Sequence, residues 1–227
     1  MEPSVKISPT TSQAILLHFA LDITHEMKGI LIGSVLEVPD VFVVTIIPLS
    51  SNQNVNCSVI ESRCQQDFSR STGAQLGVVG WYHSHNDLDT ALTKQDIDFH
   101  LKFKAKFPNS VALVGLFGRR SGDQLARVMS FTAYRCDLNE NPVQIQCLVR
   151  PLLLNSFSSK YYAVACLALE SVLKIAEEYV SQQKGEKGNA RFGNRLFIPE
   201  GSSYLDSTIL KPILVTLQSM IAWTNDL

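Results

Sequence analysis

The chain has 227 residues, 45% of them hydrophobic, and its 20 basic against 21 acidic side chains leave a formal net charge of -1. That is enough apolar chain for a full core, arranged as one domain with an extension or at most as two. Lys and Arg are scattered, which argues against a nucleic-acid partner or an anionic membrane surface, and the longest basic cluster, Lys102 to Lys106, alternates with apolar residues like the solvated face of a helix. The five cysteines, Cys57, Cys64, Cys136, Cys147 and Cys166, are odd in number and form no Cys-x-x-Cys pair. With no signal peptide and no apolar span of transmembrane length, they read as reduced thiols in a cytoplasmic or nuclear protein.

In chain order, Val5 to Ile7 reads as a short strand, and Pro9-Thr10-Thr11-Ser12 caps a helix with Ile15, Leu16, Phe19 and Ile23 on one face. His18 and His25 fall in this helix as surface or packing residues. Strands follow at Gly29 to Val35 and Val41 to Pro48, then a polar loop, Ser50 to Asn56, and a helix from Cys57 to Ser71 ended by a Ser-Thr-Gly turn. Leu76 to Tyr82 is apolar, β-branched and glycine-punctuated, so it reads as a buried strand. Beyond the polar loop Asn86 to Thr90, Thr93 is placed as the N-cap of a helix continuing through Ile97, Leu101 and Phe103. Further strands are predicted at Val111 to Phe117, Arg127 to Tyr134 and Val143 to Val149, with turns at Arg119 to Asp123 and Asp137 to Pro142. From Asn155 the pattern turns helical: Lys160 to Val180 and Tyr204 to Trp223 are long and amphipathic, separated by a charged, glycine-bearing loop from Ser181 to Gly193.

The chemistry concentrates around Gly80-Trp81-Tyr82-His83-Ser84-His85. Residues two apart on a strand project from one face, so His83 and His85 can share one metal. Asp96, eleven residues after His85, falls in the first turn of the Thr93 helix and supplies a carboxylate. Two histidines and one carboxylate, with a fourth position left to water, is the ligand count of a catalytic zinc site, whereas structural sites are usually closed by four ligands and rich in cysteine. Hydrolysis at such a site also needs a general base, and the candidate is Glu26, just before the Gly29-Ile-Leu-Ile-Gly33 strand that can lie beside the histidine strand. His100, one helical turn beyond Asp96, reads as a neighbour on the helix surface and is left out of the site.

Glu26 before that strand, then Gly-Trp-Tyr-His-Ser-His, seven residues, a hydroxyl residue, two residues and Asp96 together resemble the JAMM motif of the MPN+ metalloproteases. The resemblance implies that His83, His85 and Asp96 bind one zinc ion, that Glu26 is the catalytic acid/base, and that the hydroxyl of Thr93 helps hold the oxyanion of a tetrahedral intermediate. The family usually has serine at position 93 and proline where Asn86 stands. The fold it implies is α/β: a curved mixed β-sheet flanked by helices over residues 1–150, with a C-terminal helical extension over 151–227.

The implied function is zinc-dependent hydrolysis of an isopeptide bond, removing ubiquitin or a ubiquitin-like modifier from lysine. The motif segment, together with Cys166-Leu-Ala-Leu-Glu-Ser in the tail, looks closest to the deubiquitinase subunit of the BRISC complex, a subgroup that prefers lysine-63-linked chains. A deneddylase, a proteasome-lid-type deubiquitinase and a non-catalytic MPN scaffold subunit remain alternatives. The two C-terminal helices carry more apolar surface than one sheet face readily covers, which points to a partner, and the resemblance implies a second MPN-domain protein.

Overall fold

The computed structural model describes residues 2–21, 25–35, 40–49, 76–85, 89–119, 127–137 and 139–150. Their order is β1 (Ser4–Ile7), α1 (Pro9–Leu21), β2 (Lys28–Val35), β3 (Val41–Leu49), β4 (Gly77–His85), α2 (Lys94–Lys106), β5 (Val111–Arg119), β6 (Arg127–Cys136) and β7 (Pro142–Val149). The predicted helix over Cys57 to Ser71, the loops before and after it, and the C-terminal helices over 151–227 lie outside the described residues. No helix among the described residues is long and apolar enough to cross a membrane.

The strands make one mixed sheet in the order β1-β3-β2-β4-β5-β6-β7. The sequence predicts a curved sheet, and the structure carries that curvature to closure. β1 pairs in parallel with both β3 and β7, joining the two edges into a barrel. Asp40, at the entry to β3, holds β1 in place by accepting from Ser4 N, Ser4 Oγ and Lys6 Nζ at 3.1, 2.9 and 2.7 Å.

Each helix covers its own face of this sheet. α1 lies in a cluster with Ile15, Leu17 and Phe19 against Val5, Leu31, Tyr82 and Leu113. α2 packs through Phe103, with Phe99 partly buried, against Ile30, Ile32, Trp81, Ala112 and Val114. Leu31 and Ile32 on β2, and Trp81 and Tyr82 on β4, thus point to opposite clusters, as the period of two requires. The register between β2 and β4 slips between Leu31 and Ile32, leaving Val79 as an extra residue on β4. Because of this bulge, Val78 and Trp81, three positions apart, both serve the α2 cluster.

α1 starts one residue earlier than its predicted cap. Ser8 Oγ accepts from Thr11 N at 3.1 Å and Ser8 O accepts from Ser12 N at 2.9 Å, while Pro9 takes the first helical position. His25 lies beyond the end of α1 at Leu21 and is exposed, so its assignment to the helix is corrected. His18 belongs to the core: it is buried, with Nδ1 2.8 Å from the Tyr82 hydroxyl. Gly29, opposite Tyr82 across the ladder, makes room for that ring, since a Cβ there would overlap it. Lys104 also departs from the solvated-face reading, donating from Nζ to the carbonyls of Cys136 and Asp137 at 3.0 and 3.2 Å.

Burial disfavours the charged form of His18 and lowers its pKa from 6.5 to about 4. The unfolded chain therefore takes up a proton near pH 6.5 that the folded chain refuses until about pH 4. Stability from this residue is complete above pH 6.5 and is lost as pH falls across that window, by roughly 3 kcal/mol at most. Melting curves of the wild type and His18→Gln from pH 7.5 to 4.5 check this: the wild type should lose stability more steeply, by one proton's worth of slope. Parallel pH profiles would refute it.

Candidate metal centre

The site forms where the C-terminal end of β4 meets the first turn of α2. β4 extends through His85, so Trp81, His83 and His85 alternate onto one face. β4 and β5 are parallel neighbours, and α2 is part of the crossover between them. Its N-terminus therefore lies near the end of the strand it follows. Thr93 is the N-cap in a capping box: Asp96 N donates to Thr93 Oγ1 at 3.2 Å, and Thr93 N donates to Asp96 Oδ2 at 3.0 Å. The threonine hydroxyl also donates to Asp96 Oδ2 at 2.6 Å. Cap and carboxylate thus fix one another, with Asp96 Oδ1 turned towards His83 Nε2 at 3.5 Å.

His83, His85 and Asp96 are all buried, and each offers a ligand atom within 4.8 Å of the other two. The Nε2 atoms of the two imidazoles are 2.8 Å apart, and His85 Nε2 is 3.5 Å from Asp96 Oδ2. His85 Nδ1 donates to the carbonyl of Asp89 at 2.8 Å, which places a proton on Nδ1 and makes Nε2 the atom that faces His83 and Asp96. His83 Nδ1 has no hydrogen-bond partner among the described residues. That ring is held by stacking on Trp81, with centroids 4.6 Å apart and planes 14° from parallel.

The charges are strongly coupled. Burial lowers the pKa of His83, with the Asp96 contact opposing it. The hydrogen bond to Asp96 raises His85 to about 9 against its partial burial. Burial works against the ionised form of Asp96, yet hydrogen bonds from His83, His85 and Thr93 hold its carboxyl well below the usual carboxylate range. The physical picture is an anionic carboxylate, one neutral imidazole and one that attracts a proton. A divalent cation fits the same donors, since it engages the carboxylate and both Nε2 atoms together.

Glu26 stands beside this face. Ser84 and Met27 are hydrogen-bonded twice, Ser84 N donating to Met27 O and Met27 N donating to Ser84 Oγ, each at 2.9 Å. Lys28 is the register partner of His83, and Glu26 lies two residues before it, at the entry to β2. Its charge acts on both imidazoles, and its carboxylate lies 3.7 Å from Lys28 Nζ with the side chain 46% exposed. The five residues singled out from sequence are therefore all at one end of the barrel, three of them converged. Asn86, where the family pattern has proline, lies outside the described residues.

Sequence reading missed three contributors. Ser84 anchors the backbone next to Glu26, and Asp89 orients His85 through its carbonyl. His100 is fully buried instead of lying on the helix surface, and its Nδ1 accepts from Trp81 Nε1 at 3.0 Å. Only His100 had a signal in the sequence, its spacing of four from Asp96.

Residues 3–109 match the family model of the JAB1/Mov34/MPN/PAD-1 ubiquitin protease. Among curated proteins, the chain is 28% identical over 115 residues to the 26S proteasome regulatory subunit RPN11 of Eremothecium gossypii, covering 49% of this chain and 37% of that protein. It is 29% identical over 115 residues to RPN11 of Encephalitozoon cuniculi, covering 49% and 39%, and 27% identical over 157 residues to the uncharacterized protein F37A4.5 of Caenorhabditis elegans, covering 66% and 45%. The chain spans less than half the length of each of these relatives. Residues 3–109 are thus similar in sequence to the JAB/MPN proteins, and part of the chain is similar to the RPN11 subunits.

The Thr93 hydroxyl serves cap and carboxylate at once, so Thr93→Val should destabilise the metal-free protein by about 1 kcal/mol while Thr93→Ser stays close to wild type. Thermal unfolding with chelator present measures both. Coincident curves for wild type and Thr93→Val would mean that the capping box contributes nothing.

Proposed function

We propose that this chain is a zinc-dependent isopeptidase that removes ubiquitin, or a ubiquitin-like modifier, from lysine side chains. The observation that carries the reading is the convergence of His83, His85 and Asp96 on one buried point, with Glu26 two residues before β2, the strand that pairs with the histidine strand. Ligand atoms about 2.0–2.2 Å from one tetrahedral zinc stand roughly 3.3 Å from one another. The two Nε2 atoms stand 2.8 Å apart, closer than that value, and each lies 3.5 Å from a different oxygen of Asp96.

In this reading His83 and His85 bind through Nε2 and Asp96 through its carboxylate. When bound, zinc supplies Lewis acidity, lowering the pKa of a coordinated water to about 7 and polarising a carbonyl. Glu26, exposed and beside the donors, takes the proton from the attacking water and returns it to the departing lysine amine. A carboxylate in solvent contact can exchange that proton. Thr93 is the oxyanion donor of the reading, a task for which its hydroxyl must share or leave Asp96 Oδ2.

The finer reading is a likeness to the deubiquitinase subunit of the BRISC complex, with preference for lysine-63-linked chains, supported by the Val78 to His85 segment and the Cys166 to Ser171 segment. The RPN11 relatives favour a second reading, a proteasome-lid-type deubiquitinase. We take residues 1–150 as the catalytic domain. Residues 151–227 are the segment that joins a second MPN-domain protein, in the cytoplasm or nucleus where such conjugates are processed and thiols such as Cys136 and Cys147 stay free. If the chain is instead a non-catalytic scaffold, the cluster should hold no metal and cleave nothing.

Metal analysis beside a panel of di-ubiquitin linkages tests this, with the chain alone and co-expressed with candidate MPN partners. Wild type should carry about one zinc, and His85→Ala far less, because two ligands hold neither geometry nor charge. Glu26→Gln should keep the zinc and lose on the order of 10²–10⁴-fold or more in rate. Equal zinc in wild type and His85→Ala, or full activity in Glu26→Gln, would overturn the reading.

A further inference from the structure

Trp81 and His100 form a second link between the two elements that carry the metal-site donors. Trp81 precedes His83 by two positions on β4, and His100 follows Asp96 by four positions on α2. Two strand residues advance about 6.7 Å and four helical residues about 6 Å, so the two spacings nearly match. The result is a four-cornered arrangement. His83 faces Asp96 at one end, Nε2 to Oδ1 at 3.5 Å, and Trp81 faces His100 at the other, Nε1 donating to Nδ1 at 3.0 Å.

We propose that His100 is a positioning residue of the metal centre: through its hydrogen bond to Trp81 it sets the plane of the His83 ring and the separation of β4 from the first turn of α2. His83 is the ligand that needs such help, because its Nδ1 has no hydrogen-bond partner among the described residues while His85 is steered by the Asp89 carbonyl. What orients His83 is the stacked face of Trp81. The indole is held in turn by His100 and by the edge of Phe99, whose ring centroid is 4.7 Å away at 73°. Asp96, for its part, sits in a first helical turn, where helices fray most readily. A polar tie one turn further in resists both rotation and sliding of α2 against the strand.

Packing alone does not account for the histidine. An indole N–H only donates, so His100 Nδ1 must accept and its proton sits on Nε2. His100 is wholly buried and Nε2 meets no partner among the described residues. Burial also lowers its pKa to about 4, keeping the ring neutral and Nδ1 an acceptor at ordinary pH. An unpaired buried donor is costly, and leucine or phenylalanine would avoid that cost. The polar residue is thus explained by the bond it makes to Trp81.

This inference rests on the reading of His83, His85 and Asp96 as a metal centre, and the experiment separates the two. Cobalt(II) is added to the chelator-treated full chain, affinity is measured by competition with a chromophoric chelator, and the visible absorption bands report coordination geometry. His100→Leu removes the acceptor, and His100→Asn restores one at the place of Nδ1. His100→Leu should remain folded by circular dichroism, bind cobalt about tenfold or more weakly and show displaced bands, while His100→Asn recovers most of the affinity. In the metal-free protein, the proton resonance of the Trp81 indole N–H should move in His100→Leu and return towards wild type in His100→Asn. Should His100→Leu fail to fold, Trp81→Phe keeps the stacked ring without the donor and should show the same loss of affinity. Wild-type affinity and spectrum in a folded His100→Leu or Trp81→Phe protein would overturn the positioning role alone. A wild type that takes up neither cobalt nor zinc would overturn the metal centre, and the positioning role with it.

Discussion

Two parallel neighbours in a sheet cannot be joined by a tight turn, and the site depends on this constraint between β4 and β5. The chain leaving His85 must cross over before it can enter β5 at Val111, and α2 lies within that crossing. A helix placed there presents its first turn to the end of the strand it follows. The donors are therefore supplied by two elements whose relation is dictated by the ladder. The antiparallel pairing of β4 with β2 adds the third element, since it sets Lys28 against His83 and Met27 against Ser84. A carboxylate at position 26 is thereby brought to the same end of the barrel as the histidines.

Burying this donor set has a cost that the surroundings partly offset. Three ionisable groups within 4.8 Å, all shielded from water, form an unstable combination unless charge is balanced. In the protein alone the balance is local: Asp96 stays anionic through donors from Thr93 and the histidines, and His85 draws a proton. A bound cation would replace that proton. The capping box orients Asp96 for that exchange through Thr93 N and Oγ1.

Much of this was legible in the sequence, for identifiable reasons. The period of two at Trp81, His83 and His85 and the Thr93–Asp96 spacing are local patterns, and local patterns carried through to the strand face and the helix cap. Closure of the sheet was not legible, because it depends on β1 pairing with β7 across more than a hundred residues. Burial of His100 was missed, and His18 was left between surface and packing, for a related reason. Each has a polar partner on β4, Tyr82 and Trp81, that only the tertiary arrangement supplies. Lys104 looked like part of a solvated face, yet its receiving carbonyls belong to the end of β6, 32 and 33 residues away in sequence. The bulge at Val79 is a further case, for it shifts the inside-outside rhythm of β4 by one residue upstream of Trp81.

Lys104 gives α2 a property beyond its place in the packing. The helix is tied near its start through Asp96 and His100 and near its end through the ammonium group resting on the carbonyls of Cys136 and Asp137. In mechanical terms it is a beam with supports at both ends, one on β4 and one at the exit of β6. A load applied at either support is carried to the other with little bending between. The turn that follows β6 and the donors of the metal centre are thus joined through a single helix.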